Sequence, residues 1–136
     1  MNRVKDSVIR ALKTLYPDKK IYDEKIRQGL ENGCFFAKIL DAAQNREIDR
    51  RYKRFYLFDI HYFAPSYEEA YEVAERLIEG MEYIQVGEHT VRGTGMRSEI
   101  VDDVLHFFIS FDYHVIKPKA PGTKLQGLEQ EGIIRE

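Results

Sequence analysis

The stretch RRYKRFYLFDIHYF, residues 50–63, decides the architecture. Tyr52, Tyr56, Phe58, Ile60 and Tyr62 point one way and Phe55, Leu57, Asp59 and His61 the other, the two-residue period of a strand built from residues that suit a pleated surface. Its second half shares the pattern Phe-Asp-x-His with FDYHVI at residues 111–116. There, Leu105, Phe107, Ile109, Phe111, Tyr113 and Val115 share a face and leave His106, Phe108, Ser110, Asp112 and His114 opposite. Asp59 with His61, and Asp112 with His114, therefore sit on the less apolar side, where a sheet with one solvated face carries its polar residues. If the two strands were neighbours in register, two imidazoles and two carboxylates would converge, a donor set that suits zinc or a related ion. The register is not visible in the sequence, and the polar face of a sheet is the favoured reading. No catalytic residue, cofactor site or metal ligand is assigned.

Outward from that strand, residues 34–40 (CFFAKIL) alternate as a largely buried strand, and AAQNRE at 42–47 reads as a polar turn. Residues 3–17 place Val4, Val8, Ala11, Leu12 and Leu15 at helical spacing, and Pro17 stops the helix. KIYDE at 20–24 has room for a brief strand, and KIRQGLENG at 25–33 reads as loop. Residues 64–84 open with Ser66 and Glu69, a capping box, and carry Ala70, Val73, Ala74, Leu77 and Met81 on one stripe, so they read as a second helix. Two further strands, at 90–101 and 104–116, are joined by a hairpin at Asp102 and Asp103. The order α-β-β-α-β-β predicts an α+β fold: a mostly antiparallel sheet flanked by two amphipathic helices, one domain over residues 1–116. Residues 117–136 mix chain breakers with a short apolar end and read as an extended C-terminal arm.

Composition narrows the function classes. The 136 residues are 43% hydrophobic, enough for one core, and 21 Lys and Arg against 23 Asp and Glu exclude a global basic field. The single cysteine, Cys34, cannot form an internal disulfide and fits a buried thiol in a reducing compartment. The first residues lack a signal peptide's apolar core, and no apolar run is long enough to cross a bilayer, so the sequence reads as soluble and intracellular. RGTGMR at 92–97 lacks the Gly-Lys-Ser/Thr ending of a phosphate loop, and its glycines read as a bend or bulge in a strand. The better lead is the basic cluster of Arg46, Arg50, Arg51, Lys53 and Arg54. It reads either as a solvated strand edge or as an interface that Arg92 and Arg97 extend toward carboxylates of a neighbouring subunit or toward phosphates.

GCFFAKIL, RRYKRFYLFDIHYF and RGTGMRSEIVDDVLHFFISFDYHVI, in that order with the capped helix between them and a late LEQ at 128–130, resemble the tail terminator proteins of bacteriophages and defective prophages of Gram-positive bacteria. The resemblance spans nearly the whole chain. It departs from the family at the hairpin, where Asp102-Asp103 replaces Asp-Gly, and at Gly33, which replaces a proline. It implies a non-enzymatic virion structural protein forming a homohexameric ring on the completed tail tube, ending tube polymerisation and offering a head-joining surface. Implied partners are other copies of itself, the tail tube protein, the sheath protein if the tail is contractile, and a head-completion or neck protein if a head is present. Nucleic acid would be met only by passage through the ring, and no membrane is involved. The implied location is the host cytoplasm during assembly, then the head-proximal end of the virion tail or of a headless tail-like bacteriocin, where the ring forms the collar. The alternatives are another head-tail connector protein, a small metal-dependent enzyme using the Asp and His residues of the sheet, and a nucleic-acid-binding module acting through the basic cluster.

Overall fold

The computed structural model describes residues 3–23 and 32–117. Helix α1 spans Arg3–Leu15, and strands β1 (Ile21–Tyr22), β2 (Phe35–Arg46) and β3 (Arg51–Tyr62) follow. Helix α2 (Tyr67–Gly80) leads into β4 (Tyr83–Val86), β5 (His89–Val101) and β6 (Val104–Ile116). The strands form one curled sheet in the order β1-β2-β3-β6-β5-β4, antiparallel except where β1 runs beside β2. The two helices and four long strands thus stand in the expected order within an α+β fold, the brief strand allowed at residues 20–24 forms as β1 at one edge, and short β4 is added at the other.

Alternation explains the layering. Phe58, Ile60 and Tyr62 of β3 lie opposite Ile109, Phe107 and Leu105 of β6, and all six are fully or almost fully buried on one face. Val4, Val8 and Leu12 of α1 and Ala70, Val73 and Leu77 of α2 complete that core, and burying each larger side chain stabilises the fold by about 1.5–3 kcal/mol. Arg76 of α2 ties the helices together: its Nη2 donates to the Leu15 carbonyl at 3.1 Å, and its guanidinium lies 4.8 Å from the Tyr16 ring centroid. Ser66 caps α2 as expected, its Oγ accepting from the Glu69 amide at 3.2 Å. The Tyr62 hydroxyl donates to the Glu69 carboxylate, and burial together with that carboxylate raises the phenol above its ordinary range.

Two expectations need correction, and two, the loop at 25–33 for the most part and the C-terminal arm, fall outside the described residues. Residues 42–46 are not a turn: Ala42 to Arg46 continue β2 opposite Tyr56 to Tyr52, because long pairing with β3 outweighs their turn chemistry, and the reversal comes at residues 47–50. The second helix does not reach residue 84. It ends at Gly80, where any side chain would come within 2.6 Å of Leu15, and the chain turns into β4 with Ile84 and Val86 buried. Residues 24–31, and the arm beyond Lys117, lie outside the described residues. The Asp102-Asp103 hairpin is present, with φ of 52° and 65°, the left-handed pair that a two-residue turn requires. The glycine-bearing strand has its bulge: the β5–β6 register shifts between Thr94 and Arg97, where Gly95 has φ 61°. Among the described residues, no helix is long and apolar enough to cross a membrane.

Candidate functional site

Odd-numbered positions of β3 face away from the helices. On that open face the β3–β6 register sets His61 opposite His106 and Asp59 opposite Phe108, whereas Asp112 falls opposite Phe55 and His114 opposite Lys53. The two Phe-Asp-x-His segments therefore do not converge. Their aspartates lie four residues apart along the ladder, roughly 13 Å.

What converges is Asp59, His61 and His106. His61 Nε2 lies 2.9 Å from Asp59 Oδ2, and His106 Nδ1 lies 3.0 Å from the same oxygen and 3.3 Å from Oδ1. The two imidazole centroids are 4.3 Å apart. The position is enclosed although neither α1 nor α2 covers it: Asp59 is only 6% exposed. Phe36 meets the His61 ring edge-on at 5.3 Å, Phe63 lies at 6.4 Å from His61, and Phe108 stacks on His106 at 6.2 Å. Burial raises the Asp59 carboxyl, but hydrogen bonds and charge interaction with His61 and His106 outweigh it and leave the group below the usual carboxylate range. One ligand atom from each of the three residues lies within 4.8 Å of the others, close enough to share a metal ion. Sequence reading flags Asp59 and His61 and places His106 on the correct face. It misses His106 as the third member because only the long-range register of β3 on β6 brings it there.

The basic residues are distributed by the same alternation. Arg51 and Lys53 lie on the open face, opposite Ile116 and His114, while Arg54 and Arg46 fall on the other side opposite Tyr113 and Tyr52. Most are held locally. Arg51 Nε approaches Glu47 at 3.2 Å and His114 Nδ1 at 3.3 Å, Lys53 pairs with Asp112 at 3.3 Å, and Arg54 Nε donates to Gln44 at 2.9 Å. Arg46 Nε donates to the Asp49 carbonyl at 3.0 Å, and Arg50 Nε lies 3.8 Å from Asp49. The expected basic patch is thus a mixed-charge hairpin. Arg97 lies away from it, opposite Phe108 and roughly 26 Å along β6 from the level of Arg51, and its guanidinium covers the Phe108 ring at 4.4 Å, whereas Arg92 adjoins Gly93, which pairs with Phe111 nearer the hairpin. Arg92 pairs with Glu82 at 3.4 Å, opposite Tyr83. Cys34 is buried and takes part in no disulfide among the described residues.

Among the described residues, the sheet carries its helices on one face and a long charged hairpin at one end. A family model described as phage tail terminator protein matches residues 3–123, and the chain belongs to that family. Its role is accordingly structural, as a component of the phage tail that contacts other tail or head components. No curated protein matches the sequence.

Proposed function

We propose that the protein is the subunit of a closed, hexameric ring that caps the tail tube at its head-proximal end, stops tube polymerisation and presents the surface on which the head-joining proteins dock. The observation that carries this reading is the family match over residues 3–123. A ring needs a heterologous interface, one patch meeting a different patch on the next copy. Two unlike surfaces on this chain suit that requirement. The β2–β3 hairpin projects beyond the helices with Arg46 and Arg51 exposed and Ile48 at its tip 81% exposed. The outer side of α2 carries Glu68, Glu72, Glu75 and Glu79 around exposed Tyr67, Tyr71 and Ile78. Arginine and aromatic residues are the types that anchor subunit contacts, and opposite charge selects the register. Arg92 and Arg97, on β5, are assigned to contacts with the tube. Lys117, the last described residue, lies beside the hairpin with its amide donating to the Arg50 carbonyl at 2.9 Å, and the C-terminal arm that follows it is assigned to a contact with the neighbouring subunit. In a contractile tail the same ring meets the last layer of sheath.

Deleting the gene from its phage or tail cluster and measuring tail lengths by negative-stain microscopy tests the reading. Overlong or length-scattered tails are expected. Tails of normal length that lack heads would instead indicate a head-tail connector, and wholly normal particles would overturn the structural role.

A further inference from the structure

We propose that Asp59, His61 and His106 form a binding site for a divalent transition-metal ion, zinc being the best fit, which clamps β3 to β6 on the face that the helices leave open. The inference is independent of the ring, since it rests on three side chains of one chain.

The donor set is right for the ion. Two imidazole nitrogens and one carboxylate oxygen bind zinc and its neighbours, whereas calcium and magnesium require oxygen ligands. Spacing agrees as well. Ligand atoms around a tetrahedral ion bound at about 2.0–2.2 Å are about 3.3–3.5 Å apart. The distances of 2.9 Å and 3.0 Å from Asp59 Oδ2 to the two ring nitrogens need to open by only a few tenths of an ångström. The backbone holds these ligands ready: Asp59 and His61 project from one face of β3, and the ladder fixes His106 directly opposite His61. Phe36 and Phe108 pack on the two imidazoles, which limits ring rotation and lowers the local dielectric. The Asp59 carboxylate supplies the anionic ligand, and the fourth position is left to water.

Hydrogen bonding alone would also satisfy these groups, and the experiment separates the two states. Full-length protein carrying no histidine tag, stripped with chelator, is dialysed against zinc and the bound metal counted, with cobalt(II) absorption as a second readout of coordination. One saturable ion per chain is expected. His61→Ala and His106→Ala should weaken binding by more than the about 10–100-fold that losing an outer partner costs, while His89→Ala and His114→Ala leave it unchanged. Circular dichroism checks folding, and His106→Gln replaces any alanine variant that fails that check. Folded wild-type protein that takes up no zinc overturns the proposal without any variant. So does uptake that survives the combined loss of His61 and His106, or that disappears with His114→Ala, which would move the ion to His114 Nδ1 and Glu47 Oε1, 3.1 Å apart.

Discussion

Phe58 to His61 and Phe111 to His114 carry the same tetrapeptide pattern on adjacent strands, yet their aspartates live in different surroundings. The Asp59 side chain is 9% exposed between two imidazoles, and the Asp112 side chain is 37% exposed against one lysine. Antiparallel pairing sends the two copies toward opposite ends of the sheet, so each is judged by what its neighbours on β2 and on the facing strand supply. At the Asp59 end those neighbours are Phe36, His106 and Phe108. At the Asp112 end, β2 offers Ala43 and Asn45, Phe55 lies directly opposite, and the carboxylate stays 37% exposed. A motif's chemistry is set by its cross-strand neighbours, because side chains directly opposite are closer than most residues two apart along the strand.

Removing the cover should give the largest contrast. Phe36 is 7% exposed and packs edge-on against His61, so Phe36→Ala is expected to cost about 3 kcal/mol in urea denaturation. Asn45→Ala, at the matching level of β2 near Lys53, should stay within about 0.5 kcal/mol. Equal costs would mean that the aromatic cover on the open face contributes nothing and that both ends are ordinary solvated sheet.

Next in size comes the carboxylate itself. Asp59→Ala strands two ring N–H donors in a half-buried position and should cost about 2 kcal/mol, in the range for hydrogen bonds to a charged group. Asp112→Ala removes an exposed pair with Lys53 and should cost less than about 1 kcal/mol. The contrast sharpens with salt. In double-mutant cycles, the Lys53–Asp112 coupling should fall toward zero at 1 M salt, where the screening length is about 3 Å. The Asp59–His106 coupling should largely persist, since little solvent reaches it. Parallel salt dependence of the two couplings would place Asp59 in water-like surroundings and contradict the structure.

The fold was legible where a single period ran long enough to accumulate signal: α1, the capped start of α2, β3, and the β5–β6 hairpin. It failed at Ala42 to Arg46 and at Tyr83 to Val86. Ala42 to Arg46 favour a turn locally and pairing with β3 decides otherwise, whereas Tyr83 and Ile84 read as a continuation of α2 although their aromatic and β-branched side chains suit the strand they form with β5. The candidate site was half legible for the same reason. Alternation alone identifies Asp59 and His61 as companions and puts His106 on the right face. Choosing His106 over His114 as the third member requires the β3–β6 register, which is set by matching Phe58, Ile60 and Tyr62 to Ile109, Phe107 and Leu105 across the core. That match is a property of two distant segments and leaves no mark in either one.

The turns at the two ends give the smallest and most discriminating contrast. Asp102 and Asp103 both adopt left-handed φ in a two-residue hairpin, where the second position favours glycine. Replacing Asp103 with glycine removes the side chain's steric cost but adds freedom to the unfolded chain, effects of similar size and opposite sign. Because aspartate tolerates this conformation better than most residues, the net gain should be only about 0.5 kcal/mol. Asp49, with φ 57°, caps the other end in the residue 47–50 reversal, and its carboxylate lies 3.8 Å from Arg50 Nε. Asp49→Gly gains the same steric relief and loses that exposed pair, so its stability should be unchanged within error. A gain at Asp49 equal to that at Asp103 would show that the hairpin's ion pair adds nothing to folding, leaving the charges of residues 46–54 free to be spent on the neighbouring subunit.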